Sequence, residues 1–245
     1  MRIFKDCYDM IREIDRELLV QGITTPVKHY QNIKLVGDDQ ITKELIGVSF
    51  LISKPLKGRR EMFQHAFMDG AELIEKYCVQ EHKDRISGKP LNPGNSWKIR
   101  KSLWQNLMSK KEGDKFDYTY AERMAPQLAY VVEALKDDIH SRRAMMMIWD
   151  QTLDANQMSG FQTRVPCSIS YQFLIRNNRL YCVYYIRSQD FYKHFPIDIW
   201  QASEIMNWMV KQLKSKYKNL KVGSLNYFAG SLHAYNEDLK NHVVY

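Results

Sequence analysis

The feature that most constrains this chain is a change of hydrophobic period near Arg142. Before it, apolar residues recur mainly at helical spacing; after it, they come in short runs. Tyr171 to Ile175 and Leu180 to Ile186 are rich in aromatic and β-branched residues, and only Arg176, Asn177, Asn178 and Arg179 separate them. Asparagine tolerates the positive φ that a tight turn demands, so the two runs predict an antiparallel hairpin. Ala144 to Trp149 is a continuous apolar run of the length of a buried strand, and Gly223 to Ala229 reads as a last short one. Helices frame these runs. Met62 to about Glu81 carries Phe63, Ala66, Phe67, Ile74, Tyr77 and Cys78 near helical spacing, with Gly70 placed to interrupt it. Pro126 suits the first turn of a helix with Leu128, Val131, Val132 and Leu135 on one face. Trp200 to Tyr217 sets Ile205, Met206, Met209, Val210 and Leu213 along one stripe, with lysines in its last turns, where the macrodipole favours them. Gly88 to Ser96, with two prolines and two glycines, reads as a surface loop. Several strands mixed with long helices, without regular βαβ alternation, predict an α+β fold. No repeat or linker-like tract interrupts the chain, so one domain over residues 1–245 is expected.

A net charge of +8 favours an anionic partner, which a nucleic acid, a membrane surface or a small phosphate ester would equally satisfy. No window approaches the roughly 18 apolar residues of a membrane span, and no signal-peptide run follows Met1; a cytosolic protein without a membrane partner is expected. The four cysteines, Cys7, Cys78, Cys167 and Cys182, lack the spacing of a disulfide scaffold or a zinc site, so no structural metal is expected. Cys167 stands apart from the others. It follows Pro166, with Arg164 close by, in a loop before a strand, where a thiol can be exposed and a guanidinium can favour its thiolate. The competing reading, a small core residue, is preferred for the other three.

Downstream of Pro166-Cys167 come Gln172-Phe173, then Tyr185-Ile186-Arg187-Ser188-Gln189-Asp190, then Pro196-Ile197-Asp198-Ile199, and lastly Gly230-Ser231-Leu232-His233-Ala234-Tyr235. This order resembles the thymidylate synthase family, with its Pro-Cys nucleophile, Gln-Phe strand, Arg-Ser-x-Asp segment, Pro-Phe-Asn-Ile segment and late His-x-Tyr. Ser141-Arg142-Arg143 resembles the family's phosphate-binding double arginine. Within the superfamily the chain is most similar to the phage deoxycytidylate hydroxymethylases of the T-even type, in its Gln-Phe-Leu-Ile-Arg strand and its Gly-Ser-Leu-His-x-Tyr ending. Ile46-Gly47-Val48-Ser49-Phe50, Leu103-Trp104-Gln105 and Tyr120 extend the resemblance upstream; it is strongest from Ser141 to Tyr235 and weak before Glu61.

The resemblance implies a mixed β-sheet with flanking helices, one sheet face forming a homodimer interface, and active sites shared between subunits. It implies that Cys167 adds to carbon 6 of a pyrimidine, because carbon 5 is a poor carbanion until something does. By the same resemblance Glu72 organises water and relays protons, with Glu61 and Asp69 as rivals, and Tyr120 assists removal of the carbon 5 proton. Arg187 and Ser188 bind the phosphate from one subunit and Arg142 and Arg143 from the other; forked guanidinium donors suit phosphate oxygens. His233 and Tyr235 hold the sugar hydroxyl, Asp190 contacts the pterin of a reduced folate, and Trp104 lines that pocket.

Asp198 stands where thymidylate synthases carry asparagine, and an aspartate suits the amino edge of cytosine better than the carbonyl edge of uracil; the plainer alternative is a cap on a helix starting near Ile199 or Trp200. The expected activity is transfer of a hydroxymethyl group from 5,10-methylenetetrahydrofolate to deoxycytidylate, in the host cytoplasm if the chain is phage-encoded, without nucleic acid as a partner. Two alternatives stay open: deoxyuridylate as the substrate of a methylase or hydroxymethylase, and a catalytically silent relative that binds nucleotides or nucleic acid. Some positions depart from the family. Ser168 replaces a histidine common after the cysteine, Ala121 replaces a glycine, and the N-terminal phosphate-binding arginine is missing, with Lys28 and Lys34 as candidates to replace it. Ten residues follow Tyr235 where the family has a longer tail over the folate, which leaves site closure to another segment.

Overall fold

A computed structural model describes residues 1–110, 113–159 and 163–242. Its centre is a seven-stranded mixed sheet. Strand β1 (Arg2–Asp6) runs parallel to β5 (Ile41–Lys54), which also pairs antiparallel with β2 (Ile23–Pro26) and with β9 (Lys221–Tyr235). Beyond β9, β8 (Arg179–Asp190) lies parallel, and β7 (Ser168–Arg176) and β6 (Met145–Met147) complete the order antiparallel. A separate two-stranded hairpin joins β3 (His29–Tyr30) to β4 (Ile33–Lys34). The longer helices are α1 (Cys7–Gln21), α2 (Arg59–Phe67), α3 (Ala71–Arg85), α6 (Leu128–Asp137) and α8 (Phe195–Leu213), with short α4 (Lys101–Trp104), α5 (Tyr120–Met124), α7 (Gln151–Asp154) and α9 (Asn236–His242). This is the expected α+β arrangement. Among the described residues no helix is long and apolar enough to cross a membrane.

Register explains why one face of the sheet is dry. Met146, Tyr171, Tyr184, Tyr227 and Phe50 pair in turn across β6, β7, β8, β9 and β5, so they share a face, and all five are buried. Tyr171 and Tyr184 stack at 4.4 Å, and Phe50 and Tyr227 at 4.8 Å; Phe195 of α8 meets Tyr227 edge-on at 5.4 Å. Full burial of a ring of this size contributes about 2–3 kcal/mol. The next residues in the same ladders, Met147, Ser170, Tyr185, Phe228 and Ser49, point the other way, and there Tyr185 and Phe228 stack at 5.3 Å while both remain exposed.

The predicted hairpin is present, turned by Asn177 (φ 49°) and Asn178 (φ 55°) between paired Arg176 and Arg179. Other boundaries move. The run from Ala144 to Trp149 is not a fully buried strand: β6 has one neighbour, so Met145 and Met147 stay 41% and 42% exposed. Pro126 lies in the turn between α5 and α6 rather than in the first turn of a helix. The helix from Met62 does break, although Met68 takes the positive φ (47°) and Gly70 does not. α8 opens at Phe195, with Pro196 in its first turn. That start excludes a cap role for Asp198, which lies inside the helix. β9 reaches Tyr235, well beyond the expected Ala229.

Candidate active site

The parallel pairing of β8 and β9 brings their C-terminal ends together, with Ser188 opposite Ser231 and Asp190 opposite His233. A cavity of about 390 Å³ opens there. Its floor is the Cys167 loop and the start of α8; α3 and the segment 116–121 wall one side, and the β3–β4 hairpin covers another. The cavity brings together Cys167, Tyr120, Arg187, Ser188, Asp198, His233, Tyr235, Asp190 and Trp104, nine of the residues singled out in the sequence.

Cys167 is half-buried, whereas Cys7, Cys78 and Cys182 are buried. Its loop is fastened to β8 from three sides. The Arg187 backbone N–H donates to the Cys167 carbonyl (2.8 Å), and its guanidinium donates to the carbonyls of Pro166 (2.8 Å) and Val165 (3.2 Å). Burial raises the Cys167 thiol above the ordinary range; Arg187, a hydrogen bond from Gln31 Nε2 to Sγ (3.3 Å) and Arg164 pull it back, and Asp198 opposes them. Arg164 lies among the rings of Trp104, Phe116 and Tyr118, at 5.2, 5.7 and 5.1 Å.

Asp198 is 6% exposed and accepts from Gln189 Nε2 (3.0 Å). Burial pushes its carboxyl up to about 6, against the pull of Arg85 and of the Gln189 hydrogen bond. Arg85, only 2% exposed, is itself unusual: Nε donates to Glu81 (2.8 Å), the guanidinium lies 4.0 Å from the centre of the Tyr120 ring, and Nη1 is buried without a hydrogen-bond partner. The Tyr120 hydroxyl meets Ser168 Oγ (3.0 Å), which also meets the Tyr184 hydroxyl (2.5 Å). Serine at position 168 thus joins two tyrosines into one proton-sharing chain. At the far end, burial raises Asp190 to about 6, and its Oδ2 is buried with no partner; the indole nitrogens of Trp97 and Trp104 are likewise unpartnered. Burial lowers His233 to about 4, so it is neutral, with Nδ1 at 3.2 Å from Ser231 Oγ. Among the described residues no group of three or more His, Cys, Asp or Glu side chains is arranged to hold a metal ion.

The sequence profile of the family described as thymidylate synthase matches residues 88–244. The chain belongs to the thymidylate synthase family. A protein of Methanosarcina mazei provisionally named a thymidylate synthase is 26% identical over 178 residues, covering 70% of this chain and 74% of that one. A second, from Methanocaldococcus jannaschii, is 30% identical over 120 residues (49% of this chain, 52% of the relative). The thymidylate synthase of Francisella tularensis subsp. holarctica is 30% identical over 125 residues (48% and 42%). For these last two the chain therefore spans about half or less of the relative's length.

The match to the thymidylate synthase family begins at Gly88; of the singled-out residues that do not line the cavity, Lys28, Lys34, Glu61, Asp69 and Glu72 lie before it and Arg142 and Arg143 within it. Glu72 does not face the cavity. Its side chain is 82% exposed and pairs with Lys76 (3.2 Å), and its rivals Glu61 and Asp69 are exposed as well. Two carboxylates line the cavity from α3: Glu81, held by Arg85 and by Ser96 Oγ (2.5 Å), and Asp84, whose oxygens are taken by Gln80 Nε2 (3.0 Å) and by the backbone N–H groups of Asn95 (2.8 Å) and Ser96 (2.9 Å). Nine residues separate Glu81 from Glu72, two and a half helical turns, which turns one side chain inward and the other out. Lys28 and Lys34 are exposed on the hairpin and do not line the cavity. Arg142 and Arg143 lie outside it too, exposed just before β6 at the sheet edge.

Proposed function

We propose that this chain is a folate-dependent one-carbon transferase acting on carbon 5 of a pyrimidine nucleotide, with deoxycytidylate as substrate and 5-hydroxymethyldeoxycytidylate as product. The observation that carries the substrate choice is Asp198, a buried carboxyl beside Gln189 and Arg85 in a cavity that also holds Cys167.

The Cys167 thiolate adds to carbon 6, and the charge that develops on the ring's exocyclic edge falls on Asp198 and the unpartnered N–H of Arg85, donors and acceptors already in place. Arg187 and Ser188 take the phosphate, for which the guanidinium exchanges its backbone carbonyls. His233, kept neutral, and Tyr235 hold the sugar. A water held at the Tyr120 hydroxyl takes the carbon 5 proton out to solvent, and the Tyr120–Ser168–Tyr184 chain orients that hydroxyl. A reduced folate fits the other end: the lone Asp190 oxygen and two unpartnered indole N–H groups suit a flat heterocycle that both donates and accepts. Methylenetetrahydrofolate supplies the one-carbon unit there. Glu81, anchored by Arg85 and Ser96, orients the water that completes the hydroxymethyl group. The exposed Tyr185 and Phe228 on the open sheet face support a homodimer, in which Arg142 and Arg143 serve the neighbouring site.

The test is incubation with methylenetetrahydrofolate and either nucleotide, with products identified by mass spectrometry. Hydroxymethylated deoxycytidylate is the expected product. Turnover of deoxyuridylate alone would overturn the substrate assignment, and tight nucleotide binding without product from either would favour a silent relative. In the same assay Glu81→Gln is expected to lower kcat by roughly 10²–10⁴-fold, the usual weight of a proton-relay group. Glu72→Gln should stay within twofold of wild type; a large loss there would return the catalytic carboxylate to position 72.

A further inference from the structure

One polar contact to Cys167 comes from outside the family match. The hairpin of β3 and β4 pairs only with itself, and two strands of two residues cannot hold their shape alone in water. Docking holds it. The Tyr30 hydroxyl meets His194 Nε2 (2.8 Å), the Tyr30 ring packs edge-on against Tyr235 (5.6 Å), and Lys110 Nζ donates to the Asn32 carbonyl (3.2 Å). At the tip Gln31 adopts a left-handed backbone (φ 53°) that non-glycine residues rarely take without compensation. The result is that its carboxamide Nε2 donates to Cys167 Sγ at 3.3 Å.

We infer that Gln31 is a positioning residue for the nucleophile: a neutral donor, delivered by the docked hairpin, that stabilises the Cys167 thiolate. The inference rests on Cys167 being the nucleophile of the proposed reaction. An amide N–H can only donate, and it donates more strongly to a thiolate than to a thiol. The charged and titratable groups facing this sulfur are Arg187 from β8, Arg164 from the preceding loop, Asp198 from α8, and Tyr30, Tyr118, Tyr120 and Tyr227. Two of these are cations that favour the thiolate. A phosphate entering the cavity engages Arg187, and its negative charge offsets the help that Arg187 gives the sulfur. The Gln31 amide carries no charge to offset, so its share grows in the complex where the reaction takes place.

The experiment is the pH dependence of alkylation of Cys167 by iodoacetamide in the full chain, with and without saturating inorganic phosphate, read on the Cys167 peptide by mass spectrometry. Cys167→Ser is the blank, and the other three cysteines are buried. Gln31→Leu is expected to raise the inflection and slow alkylation at neutral pH about tenfold, more with phosphate present. Gln31→Glu keeps the side chain's shape and exchanges the donor for a carboxylate; it should raise the inflection further, which tests the donor even if the leucine variant folds poorly. Unchanged inflections, or faster alkylation at every pH, would make Gln31 a mere cover and overturn the inference. No pyrimidine substrate is needed, so failure of the substrate assignment would appear separately, as absent product beside a normal thiol titration.

Discussion

Replacing Cys167 by serine is expected to reduce turnover by roughly 10⁴-fold or more while leaving the dissociation constant of the nucleotide within a few-fold. The two halves of this expectation have separate structural causes. A hydroxyl in the same half-buried spot ionises far less readily than a thiol, and neither the Gln31 donor nor the positive charges of Arg187 and Arg164 can close that gap. The loop's shape, by contrast, does not depend on the sulfur, because Arg187 fastens the carbonyls of Val165, Pro166 and Cys167 to β8. Phosphate and sugar contacts at Arg187, Ser188, His233 and Tyr235 should therefore survive. Single-turnover kinetics with deoxycytidylate and methylenetetrahydrofolate, together with calorimetric titration of the nucleotide alone, check both halves. Appreciable turnover by the serine variant would remove covalent catalysis from the mechanism.

What could be read from the residues, and what could not, follows from where the information lies. The β7–β8 hairpin was legible because two asparagines supply the positive φ of its turn. The C-terminal half of β9 was not, since Ser231 and His233 look like loop residues until one sees that they alternate toward a polar cavity while Leu232 and Ala234 pack inward. The 14-residue β5 was missed as a strand; Gly47 (φ 67°) and a cluster of charges break its alternation. Motif order picked out nine residues that line one cavity, because they sit at strand ends and on neighbouring segments that the sheet brings together. For the carboxylate on α3 a short Glu-Leu-Ile motif outweighed helical phase: Glu72 faces solvent and Glu81, on the opposite face, lines the cavity. Gln31 had no readable signal. Nothing in the six hairpin residues from His29 to Lys34 indicates the tertiary docking that carries the tip to the sulfur.

The second large effect expected is a reversal of base preference in Asp198→Asn. Asparagine and aspartic acid have nearly the same shape and opposite hydrogen-bonding patterns on one edge. A protonated Asp198 offers a carbonyl oxygen to the cytosine amino group and an O–H to the ring nitrogen, whereas asparagine offers an N–H to the uracil carbonyl and an oxygen to the ring N–H. Burial has already raised this carboxyl to about 6, so protonating it at neutral pH costs only about 1–2 kcal/mol. Two mismatched groups at about 1–3 kcal/mol each correspond to a change in kcat/KM of roughly thirtyfold to ten-thousandfold, lost for deoxycytidylate and gained for deoxyuridylate. The pH profile adds a sign. Because the acid form reads cytosine and the thiolate attacks, the Cys167 limb makes wild-type kcat/KM on deoxycytidylate rise with pH, and the Asp198 limb, which begins near 6 and below the raised thiol, cancels that rise so that the profile levels off there. The asparagine variant acting on deoxyuridylate should keep the thiol limb and lose the other. If Asp198→Asn instead weakens both substrates equally with an unaltered profile, the residue supports the cavity through Gln189 and does not read the base, and the preference for cytosine must then be sought in Arg85.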